Sequence, residues 1–355
     1  MGAHGAFLLN SNEMDVKIKN EGSHGSLEYN VLGGILDLYF FAGPTPVDVA
    51  RKYALVAGLP VEFPHWSFGL HQCRFGYKDI EEVRQVVANY IDYMDGRLVF
   101  TTYPAAYPKA EVQKLVEDLH SKNQQLVMMV DPAIGTSAGV SGAYERGSIG
   151  DAWLKGPDGQ SHIRIVWPGT VVFPDWLHPN AQPFWTDEFK RLFNPNDGID
   201  IDAAWIGMNE PASFCYHPCT VTPNTVDVNQ LILTLGDAPP LGDEEPDYEG
   251  INLQHPPYAI KNDMPRLSDR TAPVDAVHHN GLQEYDTLGM STISEVIIAR
   301  EEDMEVIREE VEAELAGKPL EAVQDAIVSH KEVLEVGRRK AQLMRELIEI
   351  VVLTI

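Results

Sequence analysis

Apolar residues recur along this chain at two periods, and the change between them marks its parts. In 1–42, runs such as LEYNVL and GILDLYFFAG set aromatic and β-branched residues between glycines, which predicts β-strands. These strands are too few to close a sheet and read as the edge of something larger. VDVARKYALVAGLP (47–60) predicts a short helix ended by Gly58 and Pro60. From 61 to about 213 the two patterns alternate. HWSFGLHQC (65–73), QQLVMMV (124–130) and DAAWIGM (202–208) predict apolar strands. DIEEVRQVVANY (79–90), AEVQKLVEDLHSKN (110–123) and AQPFWTDEFKRLF (181–193) predict helices. Asp79 is placed to cap the first, with Val83, Val86 and Val87 on one face. Val112, Leu115, Val116 and Leu119 form the inward stripe of the second.

Alternation of this kind implies a parallel sheet covered by helices, with chemistry at the C-terminal ends of the strands. Asp131 and the residues after Met208 fall there. Residues 214–285 are rich in Pro, Asp and Asn with little periodicity, and predict a long surface insertion. His278 and His279 within it are expected to be solvated. Beyond about 290 the chain becomes Glu-rich with apolar residues at helical spacing, among them Val306, Ile307, Val311, Leu315, Leu320, Val323 and Ile327. That pattern predicts amphipathic helices able to contact a protein partner.

Composition narrows the function. The 27 Lys and Arg against 53 Asp and Glu leave a net charge of -26. Such a surface repels phosphate backbones and anionic lipid, which excludes nucleic acid and polybasic membrane attachment. No apolar run reaches the ~18 residues a membrane helix needs. The N-terminus lacks the basic start of a secretory signal. Three cysteines rule out a disulfide framework, although Cys215 and Cys219 could form one local bridge. No His or Cys pair lies at metal-ligand spacing near those cysteines.

Four segments resemble glycoside hydrolase family 31, in particular its fungal α-glucosidases: WSFGLHQCRFGY (66–77), IDYMDGRLVF (91–100), VWPGTVVFPDW (166–176) and DAAWIGMNEPASFC (202–215). YFFAGPTPVDVARKYALVAGLP (39–60) and AVHHNGLQEYDT (276–287) add to the likeness, which covers residues 5–300. It implies an α/β fold: an incomplete (β/α)8 barrel over 43–300, preceded by the end of a β-sandwich domain (1–42) and followed by a helical tail (301–355). It implies retaining hydrolysis of terminal α-linked glucose from oligosaccharides without metal or cofactor. Full-length members are commonly secreted.

The resemblance also assigns residues. Phe75, Asp92, Asp131, Ile134, Trp167 and Met208 would line the glucose subsite, and Cys215 and Cys219 would be bonded. Read without it, Asp131 is equally a turn former and Trp167 equally a core residue; Asp175 reads as a structural hydrogen-bonder. The family's strand reads Trp-Ile-Asp-Met-Asn-Glu with the Asp as nucleophile. Here Trp205-Ile206-Gly207-Met208-Asn209-Glu210 puts glycine in that place and keeps Glu210 as a supporting carboxylate. Retention needs two carboxyl groups about 5–5.5 Å apart, one of which attacks the anomeric carbon. Two further departures point the same way. The helix pattern runs to Tyr90 and straight into IDYMD, with no room for a second barrel strand. The match also fades after SEVIIAR (294–300), so no residue carries over as the acid/base. Hydrolysis is therefore expected to be absent or very weak. A non-catalytic sugar-binding or protein-binding relative, or a mis-spliced reading frame, stands as the alternative.

Overall fold

The computed structural model describes residues 2–21, 24–59, 63–71, 78–87, 98–137, 142–208, 211–217, 219, 221, 253–254, 256, 260, 264 and 266–287. Met1–Thr292 form one compact unit. The tail expected over 301–355 and the junction at Tyr90 lie outside the described residues.

The N-terminal strands pair locally. β1 (Ala3–Leu8) runs antiparallel to β4 (Leu38–Gly43), while β2 (Met14–Glu21) and β3 (His24–Val31) form a hairpin of their own. The hairpin leaves Val16, Ile18 and Leu27 exposed. α1 (Pro46–Ala57) starts where Thr45 Oγ1 accepts from the Asp48 amide at 3.3 Å, with Pro46 in the first turn, and ends at Gly58. It buries none of its residues, and Leu55 is 86% exposed.

The main core sits further along. α2 (Ile80–Val87) begins under Asp79, whose Oδ1 accepts from the amides of Glu81 and Glu82 at 3.0 and 2.8 Å. α3 (Lys109–Ser121) turns Val112, Leu115, Val116 and Leu119 inward, all four buried. They pack with Ile80, Val83, Leu126 and Met128, so that α2 and α3 cover β5 (Val127–Val130). β5 pairs in parallel with β9 (Ala203–Ile206), from Val127↔Ala203 to Val130↔Ile206. α5 (Ala181–Leu192) buries Phe184, Trp185 and Glu188. Glu188 is held by Arg146 on α4 (Ala143–Ile149), whose Nη2 donates to Oε2 at 2.6 Å. Paired in this way, a buried carboxylate is tolerated.

Between β5 and α5 runs a small antiparallel sheet. β6 (Ile134–Gly135) and β7 (Arg164–Val166) both pair with β8 (Gly169–Val172). The β7–β8 turn is Trp167-Pro168. It closes on Gly169, whose φ of 108° lies in the region where a side chain is strained.

Three expectations are corrected. Within 65–73, His65–Phe68 form a single 3₁₀ turn rather than a strand, because Ser67 and Gly69 bond back to Pro64 and Trp66. β9 is half-buried rather than buried; among the described residues it pairs only with β5, and Trp205 is 47% exposed. The stretch expected as a surface insertion carries core. Leu253, Leu267 and Val274 pack with Leu32, and Ala272 and Ala276 with Leu154. Its polar composition conceals a few small apolar anchors that have no period to betray them.

Candidate active site

The β5–β9 ladder ends at the pair Val130↔Ile206, so Asp131 and Gly207 follow on neighbouring strands at the same end. There they meet the β7–β8 turn. A cleft opens between Asp131, Ala133, Val166, Trp167, Pro168, Phe173, Met208 and Ala212. It is narrow: about 10 Å³ is wide enough for the centre of a water molecule. Its floor is the cluster of Ala133, Val166, Val171 and Phe173, against which Trp167 packs. The Trp167 ring stands edge-on to Phe214 with centroids 5.0 Å apart. Phe214 is itself tied to β7 by its amide, 2.7 Å from the Ile165 carbonyl. An aromatic face with a carboxylate beside it is the kind of surface on which the C–H groups of a sugar ring pack, although the space here is too narrow to enclose one.

Asp131, Trp167 and Met208 are thus brought together. Met208 has φ 56° and is 37% exposed, so the chain turns sharply as it leaves β9. Ile134 does not line the cleft: it has no exposed surface and lies within β6. Phe75, Asp92 and Glu210 lie outside the described residues. Cys215 and Cys219 are bonded, with Cα atoms 5.7 Å apart. Among the described residues no group of three His, Cys, Asp or Glu is placed to hold a metal ion. None of their helices is long and apolar enough to cross a membrane.

At Gly207 an added Cβ would sit 3.3 Å from Trp205 Nε1, with no closer neighbour. Trp205 is half exposed and can yield a few tenths of an ångström. The absence of a carboxylate there is therefore a matter of sequence and not of space.

A second set of residues carries charge and was not foreseen. His278, expected in solvent, is buried. Its Nδ1 lies 2.7 Å from Asp175 Oδ1 and its Nε2 2.9 Å from Glu284 Oε2. Burial alone would lower its pKa, but hydrogen bonds and charge from the two carboxylates outweigh that and push it up to about 9. His279 is exposed, yet its amide donates to Asp175 Oδ2 at 2.6 Å. Arg164 on β7 is buried nearby; burial lowers its pKa to about 9 against the attraction of Asp275 and Glu284. His162 falls to about 3 through burial and the charge of Arg164. One signal was present in the sequence: an arginine between Ile163 and Ile165 in a strand needs buried partners.

Thr287 Oγ1 lies 2.8 Å from His278 Nε2, which completes an Asp–His–Thr line reminiscent of a nucleophile triad. The chemistry does not follow. Thr287 is 1% exposed, its hydroxyl also reaches the Gln283 carbonyl at 3.2 Å, and Glu284 shares the same imidazole nitrogen.

Comparison with known proteins bears on family and fold. The profile of "Glycosyl hydrolases family 31 TIM-barrel domain" matches residues 60–294. A "Probable alpha/beta-glucosidase" of Arthroderma benhamiae is 44% identical over 328 residues, covering 81% of this chain and 38% of the relative. "Alpha-xylosidase 1" of Arabidopsis thaliana is 34% identical over 324 residues, covering 83% and 32%. The chain thus spans about a third of the length of the curated relatives it matches. Among solved structures, the glucosidase II alpha subunit superposes with a TM-score of 0.56 at 21% identity, over 84% of this chain and 29% of that one. A Flavobacterium johnsoniae dextranase of the same family, complexed with glucose, also gives 0.56 at 17% identity, over 84% and 31%. These likenesses establish the (β/α)8 fold, and the chain belongs to glycoside hydrolase family 31.

Proposed function

We propose that this chain holds a family 31 α-glucoside pocket whose hydrolytic chemistry is absent or barely above background. The observation that carries the reading is Gly207. It follows the last residue of β9, level with Asp131 on β5, where the resemblance puts the nucleophile. Glycine cannot attack an anomeric carbon, so no covalent glycosyl intermediate forms there. Glu210, three residues further on, is a supporting carboxylate in this reading and does not replace the nucleophile. Trp167, Asp131 and Met208 supply the aromatic wall, a hydroxyl acceptor and an apolar edge. Phe75 and Asp92 are proposed as further subsite residues, and the 301–355 helices as a protein contact. The relatives' names support the substrate class.

The test is a maltose and glucose titration of the purified chain by calorimetry, with the solution afterwards analysed for products. Binding without release of glucose from maltose is the expected result. Binding to neither sugar would refute the pocket, and steady release of glucose would refute the loss of chemistry.

A further inference from the structure

The buried charges around His278 lie apart from the cleft walled by Trp167 and Phe173, yet they hold the element that carries those walls. Phe173 is a wall of the cleft, and Asp175 follows it by two residues. The Asp175 carboxylate is filled from the far side by His278 Nδ1 and the His279 amide, and its own amide donates to the Ala152 carbonyl at 2.8 Å. Glu284 secures the other imidazole nitrogen from a one-turn helix, α6 (Glu284–Thr287). Arg164, which opens β7 and pairs with Val171 at this same base of the β7–β8 hairpin, is also buried, close enough to Asp275 and Glu284 to feel their charge. The segment 275–287 therefore holds this hairpin at its exit. Trp167 and Pro168 are carried at its tip.

We propose that Asp175, His278 and Glu284 act as a positioning clamp, fixing the β7–β8 hairpin so that Trp167 and Phe173 wall the cleft. The imidazolium between two carboxylates is what makes the clamp strong. Its bonds are directional, so they fix a position as well as adding stability. The cleft's role as a sugar pocket rests on the reading given above; the grip on the hairpin does not.

The test is amide hydrogen exchange by mass spectrometry on His278→Gln and on the milder Glu284→Gln, paired with glucose titration. Glutamine cannot bridge two carboxylates with charge. Exchange in 164–176 should rise about tenfold or more while 109–130 stays as in the parent, because the loss is local and not global. Glucose affinity should fall by about tenfold in parallel. If His278→Gln does not fold, Glu284→Gln decides, since it keeps the shape and the Asp175 bond. Unchanged exchange in 164–176, or an equal rise everywhere, overturns the clamp. A loosened hairpin with undiminished glucose affinity overturns its link to the pocket. If the parent chain binds no glucose, the functional reading fails and the exchange pattern still judges the clamp.

Discussion

The cleft at the ends of β5 and β9 and the cluster around His278 divide between them what an active site usually combines. The cleft has the place: strand ends, an aromatic wall and an opening to solvent, but in the proposed reading a glycine, Gly207, where attack would begin. The cluster has the groups, a charged imidazole, two carboxylates and a hydroxyl within hydrogen-bond distance, but little exposure: Glu284 and Thr287 are buried, and Asp175 and His278 only edge a second cleft beside His178 and His279. Titratable side chains close together with a shifted pKa are therefore a poor guide here. Buried structural networks perturb pKa values as strongly as catalytic ones do. What separates the two is that the cluster's charges are spent on one another.

The sharpest way to break this comparison is to remove a member of the cluster. Asp175→Ala would leave His278 short of one carboxylate and the His279 amide without its acceptor. Removing one partner of a buried pair costs about 3–5 kcal/mol. Urea unfolding should show a loss of that size; a loss below about 1 kcal/mol would mean the cluster contributes little.

The pH dependence of stability tests the same cluster without mutation. The folded pKa of His278, about 9, lies above its ordinary 6.5. The stabilisation is therefore complete below 6.5 and is lost as pH rises through about 9, a change on the order of 3 kcal/mol. His162 runs the other way. Its folded pKa is depressed to about 3, so its contribution is lost as pH falls from 6.5 toward 3. Thermal melts across pH should show both flanks. In His278→Gln the alkaline flank should shrink and the acid one persist.

The two regions were not equally legible in the sequence. Strands 127–130 and 203–206 and the stripe Val112, Leu115, Val116 and Leu119 follow from period alone, since a helix or strand that covers a core must repeat its apolar residues. Asp131 and Gly207 follow from the strand-end rule and the resemblance. The 3₁₀ turn at His65–Phe68 was missed because Trp66 and Phe68 look like strand residues, while Pro64 and Gly69 decide the local turn. The His278 cluster was missed because its parts lie up to 109 residues apart, from Asp175 to Glu284 in sequence, inside a stretch with no period. Polar composition signals solvent only when the polar groups have no buried partners, and pairing over such distances leaves no local pattern.

Smaller effects are expected in the cleft. Trp167→Ala removes the wall and its contact with Phe214, and glucose affinity should drop by about tenfold or more. The β7–β8 sheet should remain folded by circular dichroism. An unaltered affinity would remove Trp167 from the pocket. Gly207→Asp should change stability least, by less than about 1 kcal/mol, because Trp205 can yield to the new Cβ. In the proposed reading it should not restore cleavage of maltose either, since the resemblance carries over no acid/base residue. Robust maltose cleavage by that variant would show that a proton donor is present and functional.

The central claim is that the place survives without its chemistry. The most direct measurement is release of p-nitrophenol from its α-glucoside by the purified, unmutated chain, with glucose binding confirmed in the same preparation. The account predicts binding with release no faster than the buffer control, because Gly207 offers no nucleophile. Turnover of about 1 per second or faster, which is ordinary for an enzyme, would contradict it.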